Sequence, residues 1–294
     1  MKKVAIIGPT ASGKSELAIE TALCMDAWIL SLDSLAVFKE ADIVSAKPSK
    51  EELLRVPHFG IDELYINEYF SVDLFIKRYK EVESLAKEAG KNLVIVGGTS
   101  FYLKVLLEGL SFVPSPKVLL QKKIDEMLRD LAQTYAFLKE KDPLYMQNIA
   151  STDKYRIEKA LSIFLSTQTI PSEWFKQHPP TPVASDVEIF DIAIERSILR
   201  QRIEKRTQKM LQEGLIDEIS FLEWKYGRAP APMKAIGIVE TLSYLDGKCS
   251  KKELQQAIVT HTAQLAKRQQ TFNKNQFPTR VALPLEALRK RLCS

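Results

Sequence analysis

Gly8, Gly13, Lys14 and Ser15 keep the spacing of a phosphate-binding loop, G-x-x-x-x-G-K-S, inside the stretch VAIIGPTASGKSELA (4–18). Glycines in such a loop let backbone N–H groups converge on phosphate oxygens, and the helix that follows adds partial positive charge at its N-terminus. The candidate cradle is therefore Gly8, Pro9, Thr10, Ala11, Ser12, Gly13, Lys14 and Ser15. Lys14 supplies a mobile point charge, and the Ser15 hydroxyl is placed to hold Mg²⁺. An NTP hydrolase usually adds a carboxylate after a later apolar strand, but NLVIV (92–96) runs into Gly97-Gly98-Thr99. The acidic residue beside the cradle is Asp33, which can order Mg²⁺-bound water or take a proton from an acceptor group. Its plainer role is to stiffen the turn before SLAVF. This set favours transfer to an acceptor over hydrolysis, and it leaves kinase and other transferase chemistry both open.

Groups so far apart in sequence need a sheet to bring them together. Short apolar runs at 4–7, at 93–96, near 187–194 and in AWILSLDSLAVF, ending at 31–34, read as buried strands separated by helical patterns. Strands alternating with helices predict an α/β fold, a P-loop NTPase-like parallel sheet flanked by helices. Ligands of such sheets sit beyond the carboxyl ends of the strands, so the turns at 8–15, 33–34 and 97–99 are expected to face one crevice. Between 114 and 186 the pattern turns helical, with a helix over 117–141 and another in STDKYRIEKALSIFL (151–165) that Ser151 or Thr152 caps. The expected organisation is a core domain over 1–113, an all-helical insertion over 114–186, and the rest of the core over 187–294. A long helix ends at Gly214, and a further pair is expected near 237–246 and 251–272.

The 294 residues are 45% hydrophobic and 27% charged, as in an ordinary soluble globular protein. No apolar run approaches the length of a membrane span, and the first strand begins too early to leave room for a signal peptide. Cys24, Cys249 and Cys293 are far apart in sequence without metal-ligand spacing, which suits a reducing cytoplasm. The three histidines, His58, His178 and His261, make a zinc site an improbable design. With no coiled-coil or disulfide device evident, a monomer is expected. The charge is unevenly spread. From Lys251 to Ser294 nine Lys/Arg face only Glu253 and Glu286, a local excess of +7 within a net charge of +5. That excess suits a polyanion. LAKRQQTFNKNQF (265–277) interleaves Lys267, Arg268 and Lys274 with Phe272 and Phe277, a pattern suited to phosphate contact and base stacking.

GPTASGKS, SLDSLAVF, DIVSAKP, PHFGID, FSVDLF, VGGTSFYLKVLLEGL, RIEKAL, LIDEI, AIGIVE and LAKRQQTF follow one another from the cradle to about Phe272. In that order they resemble the bacterial tRNA dimethylallyltransferases. The resemblance implies transfer of a dimethylallyl group from dimethylallyl diphosphate to N6 of the adenosine 3′ to the anticodon, in tRNAs reading codons that begin with U. It implies Mg²⁺ as cofactor, and a tRNA anticodon stem-loop and dimethylallyl diphosphate as partners, in the cytoplasm and away from membranes. By the same resemblance Asp33 takes the amine proton and Thr99 lies at the reacting centre, although its type also suits a helix N-cap. Lys14 and Arg202 complete the catalytic set, and Arg206, one helical turn on, joins the cradle in holding diphosphate. Asp33, Ser34, Leu35, Ala36 and Thr99, then Tyr155, Arg156, Ile157, Glu158 and Lys159, then Lys267, Arg268 and Phe272, match segments that touch tRNA. The chain departs from the family pattern at Ala36 and Phe38, where Gln and Tyr are common, at Phe59, where a second His is usual, and in AIGIVE and RQQTFN. An adenylate dimethylallyltransferase, a small-molecule kinase and a non-catalytic RNA-binding protein are the competing readings.

Overall fold

The computed structural model describes residues 1–184 and 186–293; Ser185, in the proline-rich exit from the helical segment, and Ser294 lie outside them. Six parallel strands form one sheet in the order β3-β2-β4-β1-β5-β6. They are β1 (Lys3–Ile7), β2 (Ala27–Ser31), β3 (His58–Phe59), β4 (Asn92–Val96), β5 (Val187–Ile192) and β6 (Val281–Leu283). β1 and β4 are almost entirely apolar and buried, as strands covered on both faces must be. Because β4 lies between β2 and β1, the turns after β2, β4 and β1 emerge side by side. The order alone thus places Asp33, Gly97–Thr99 and the cradle at neighbouring strand ends. The two- and three-residue edge strands β3 and β6 were not expected, since such short pairings leave no periodicity to read.

The chain divides into two compact units, residues 1–107 with 184–294, and residues 108–183. The second begins six residues and ends three residues before the span expected from the change in pattern. Its core gathers Ile124, Leu138, Met146, Ile157 and Leu161 among other apolar side chains. The single helix expected over 117–141 is two, Val118–Met127 and Leu131–Lys141, because Asp130 caps the second by accepting the Gln133 N–H at 2.9 Å. The next helix, Lys154–Thr167, is capped by Asp153 rather than by Ser151 or Thr152, its carboxylate accepting the Arg156 N–H at 3.1 Å. A carboxylate there also answers the helix dipole, which a hydroxyl does less well.

In the first unit the helix after the cradle is Lys14–Cys24, and it buries Leu17, Ala18, Ile19 and Ala22 against the sheet. Two helices bring cationic side chains towards the strand ends. Arg196–Gln212 buries Leu199, Ile203, Thr207 and Met210, which leaves Arg202 and Arg206 on its flank. Lys251–Gln276 opens with a capping box between Ser250 and Glu253 and buries Leu254, Ile258, Thr262, Ala266 and Asn273 along one face. None of the described helices is long and apolar enough to cross a membrane.

The C-terminal helix, Leu285–Leu292, packs on the Lys14–Cys24 helix. Leu285 Cδ2 stands 3.0 Å from where a Gly13 Cβ would be, Arg289 Nε donates to Glu20 at 2.6 Å, and Cys293 is disulfide-bonded to Cys24. Separation in sequence had argued against any disulfide device; the fold corrects this by returning the chain's end to its first helix. A cross-link between residues 269 apart restricts the unfolded chain strongly. Removing one typically costs about 2–4 kcal/mol. Cys293→Ser is therefore expected to melt several degrees below the oxidised protein, and no lower than the protein held in dithiothreitol. Equal melting temperatures of oxidised and reduced protein would count against a stabilising bond.

Candidate active site

The cradle adopts its shape through backbone geometry that few residues tolerate. Gly8 and Gly13 have φ of 149° and 98°, and Ala11 has φ of 65°. The left-handed turn at Gly13 sits directly before the helix. A Cβ on Gly8 would also stand 3.2 Å from both Ile192 Cβ and Ser12 Oγ. Lys14 Nζ donates to the Pro9 carbonyl at 2.8 Å, inside the loop itself. Burial draws its pKa down to about 8; Asp33 opposes that shift and Arg206 adds to it. Burial also lowers the pKa of Arg206, again with Asp33 opposing. Asp33 is thus an anion that favours the charged form of both cations, joined at Lys14 by Asp191.

Asp33 Oδ1 accepts the N–H groups of Leu35 at 2.9 Å and Ala36 at 3.2 Å. The carboxylate does stiffen its turn, as one expectation had it. That bond set uses a single oxygen and fixes the plane of the group. Thr99 joins β4's turn to β2's: its Oγ1 accepts the Ser34 N–H at 3.1 Å and donates to Ser34 Oγ at 3.3 Å, and its own N–H donates to the Leu32 carbonyl at 3.0 Å. Gly97 permits that approach, since a Cβ there would lie 2.3 Å from the Leu32 carbonyl oxygen.

Two cavities open on these groups. One, of about 320 Å³, runs over the cradle from Thr10 to Glu16 and on to Lys47 and His58. The other, of about 570 Å³, is walled by Ser34, Leu35, Thr99, Arg268, Gln269 and Phe272, among others. Thr10, Lys14, Asp33 and Arg206 line both. The first cavity offers backbone N–H groups and cations, which suit a phosphate-bearing group; the second adds apolar, aromatic and hydroxyl side chains (Leu35, Leu265, Phe101, Phe272, Thr99, Thr262) to the cations Lys234 and Arg268. The boundary between them holds one carboxylate and two cations, so a group leaving the first and a group losing a proton in the second would meet at Asp33.

The expected residues are not all equivalent. Arg202 lines neither cavity; its Nη1 donates to the Ser12 carbonyl at 3.0 Å and braces the loop from behind. Arg206, one turn further on, is the arginine that reaches both. Ala36 is buried and lines the cradle side. Lys267 belongs to an outer groove along the Lys251–Gln276 helix with Arg268, Thr271 and Phe272. In the second unit Tyr155 and Arg156 are exposed, Lys159 lies 5.5 Å over the Tyr155 ring, and Ile157 is fully buried. Ile157 therefore packs that unit's core and is corrected as a contact residue. Sequence reasoning missed Gln269, Thr262, Leu265 and Ser100, all of which line the second cavity. The helical spacing of 262, 265, 269 and 272, which share the face of Arg268's helix turned to the site, is the signal that could have found three of them.

Among the described residues no cluster of three or more His, Cys, Asp or Glu could hold a metal ion. Oxygen donors lining the cradle cavity include the Ser15 hydroxyl and the carboxylates of Glu16, Asp33 and Glu52. That set fits a cation of the Mg²⁺ kind, which keeps most of its waters and takes further oxygens from a phosphate ligand.

Residues 36–276 match the model of the family described as IPP transferase. A tRNA dimethylallyltransferase of Sulfurimonas denitrificans is 57% identical over 288 residues, covering 98% of this chain and 97% of that one. A tRNA dimethylallyltransferase of Helicobacter pylori is 43% identical over 94% of this chain and 88% of its own. Among solved structures, a tRNA isopentenylpyrophosphate transferase from Staphylococcus epidermidis superposes with a TM-score of 0.70 at 30% identity, covering 99% of this chain and 97% of that one. A eukaryotic dimethylallyltransferase acting on tRNA superposes with a TM-score of 0.85 at 26% identity, covering 97% of this chain and 74% of that one.

Proposed function

The chain belongs to the IPP transferase family, and from that premise we propose that it moves a dimethylallyl group from dimethylallyl diphosphate to N6 of the adenosine 3′ to the anticodon of tRNA. The observation that carries this reading is the meeting of two cavities at Lys14, Asp33 and Arg206. The cradle side takes the diphosphate, and the Thr99–Phe272 side takes the adenine of a base turned out of its loop. Such extrusion costs a few kcal/mol and least where the base is already unpaired, as in an anticodon loop.

In the transfer the allylic C–O bond breaks as the N6–C bond forms, and the electron pair departs with the diphosphate. Lys14, Arg206 and the backbone N–H groups of residues 11–15 stabilise that developing charge. Ser15 would hold Mg²⁺ there, whose charge would neutralise part of it. The proton lost from N6 goes to Asp33, whose plane is already fixed by Leu35 and Ala36. An exocyclic amine is a weak nucleophile, so orientation and late proton removal matter more than prior deprotonation. Thr99, tied to Ser34, sits where it can bond either reactant. Contacts to the anticodon stem-loop are assigned to Ser34, Leu35, Arg268 and Phe272 at the cavity, Lys267 in the outer groove, and Tyr155, Arg156 and Lys159 on the second unit. We further assign the enzyme to the cytoplasm on the ground of its tRNA substrate and not of its cysteines, two of which are paired, and take it to act as a monomer.

The test is to mix the protein with Mg²⁺, dimethylallyl diphosphate and an unmodified tRNA, digest the RNA and weigh its nucleosides. An adenosine heavier by one C₅H₈ unit is the expected product. Modification of AMP in a parallel reaction, with tRNA left unchanged, would replace this reading with the free-nucleotide one. Binding of tRNA without any product would leave only an RNA-binding protein.

A further inference from the structure

Gln269 belongs to neither the cradle nor the Thr99–Asp33 edge, yet its amide touches both halves of the site. Its Oε1 accepts the Thr10 N–H at 2.9 Å, and its Nε2 donates to the Gly98 carbonyl at 3.0 Å. Thr10 is in the phosphate loop. Gly98 precedes Thr99, which is bonded to Ser34, the residue after Asp33. One planar group from the Lys251–Gln276 helix therefore links the loop after β1, the turn after β4 and, through Thr99, the turn after β2.

Gly98 carries independent support for this link. Its φ lies outside the left-handed region that favours glycine, so a positive φ does not account for the glycine. What a side chain there would meet is Gln269 itself: a Cβ would stand 2.5 Å from Nε2. The second glycine of Gly97-Gly98-Thr99 is thus a seat for the glutamine amide. The demand is chemically narrow. The amide must accept at one end and donate at the other; a carboxylate could keep the Thr10 bond but would set its second oxygen against the Gly98 carbonyl, and an alanine makes neither bond.

We propose that Gln269 is a positioning residue that fixes the diphosphate cradle in register with the Thr99–Asp33 edge, so that the leaving group and the attacking amine meet at reacting distance. The inference rests on the transferase reading above. Each half can still bind its own ligand without the bridge; what the bridge controls is their relative placement, where an error near 1 Å costs on the order of 10²-fold in rate.

Two measurements test it. In amide hydrogen exchange, Gln269→Ala should speed exchange at Thr10, whereas Gln269→Glu should leave Thr10 protected. In turnover, Gln269→Ala should lower kcat roughly 10- to 100-fold, with the donor KM and the tRNA Kd changed by less than about threefold. Gln269→Glu should lower kcat as well, since it loses the Gly98 end. Gly98→Ala should cost a similar factor in the natural background and less than about twofold on top of Gln269→Ala, because its only obstacle is then gone. Unchanged Thr10 exchange in Gln269→Ala, or a Gly98→Ala cost that is the same in both backgrounds, overturns the bridge. If the natural protein transfers nothing to tRNA, the reading of function falls instead, and the Thr10 exchange still decides the bridge.

Discussion

Asp33→Ala is expected to lower kcat by roughly 10²- to 10⁴-fold, the range a positioned general base contributes, while diphosphate affinity changes far less. The residue has two separable jobs. Its Oδ1 holds the Leu35 and Ala36 N–H groups, and its charge sits among Lys14 and Arg206. Asp33→Asn separates them: the amide oxygen can keep the turn, but the group can no longer take a proton. If the chemistry lies in the carboxylate, Asn should be nearly as damaging as Ala in kcat even though it keeps the acceptor for the Leu35 and Ala36 N–H groups. Should Asn retain most of the turnover, Asp33 is a turn-forming residue and the proton goes elsewhere. An equal loss in turnover and in diphosphate affinity would also remove the base assignment, since it would mean the charge serves ground-state binding.

How much of this could be read without coordinates depended on how local each signal was. The cradle was legible because all of its requirements fall within eight consecutive residues. The parallel sheet was legible because its four central strands are apolar runs between helical patterns. The capping residue Asp153 was missed in favour of neighbours two and one positions earlier, a choice decided by side-chain geometry that the residue types leave open. Gln269 was missed for a different reason. Its partners are Thr10 and Gly98, 259 and 171 residues away, and nothing in a helix of mixed polar residues marks which glutamine will meet a loop. The Cys24–Cys293 pairing was hidden in the same way. Arg202 and Arg206 show the limit most directly. Both lie on one helical face with identical chemistry, and only the fold assigns the first to the back of the cradle and the second to the reacting cavities.

The donor's affinity should depend on pH through Lys14. Burial lowers its pKa to about 8, against an ordinary value near 10.5. In the proposed transfer its cationic form is the one that holds the diphosphate. Below about pH 8 the free enzyme already carries that charge, so binding needs no proton and affinity should be flat. Above it the free enzyme is neutral at this position, and each binding event must take up a proton. Affinity should then fall about tenfold per pH unit until the pKa of the bound state is reached. Lys14→Met should lower kcat/KM by roughly 10²- to 10³-fold, the loss usual for one preorganised donor to a developing anion, and should abolish the alkaline limb. Lys14→Arg is the sharper variant. A guanidinium stays charged throughout this range, so whatever its absolute affinity, its donor binding should be level from pH 7 to pH 10. Titration of donor binding by calorimetry in buffers of different ionisation enthalpy would count the proton directly. A natural enzyme whose affinity stays level to pH 10, with no proton taken up, would mean that Lys14 leaves the Pro9 carbonyl already protonated and that its burial does not set the donor's grip.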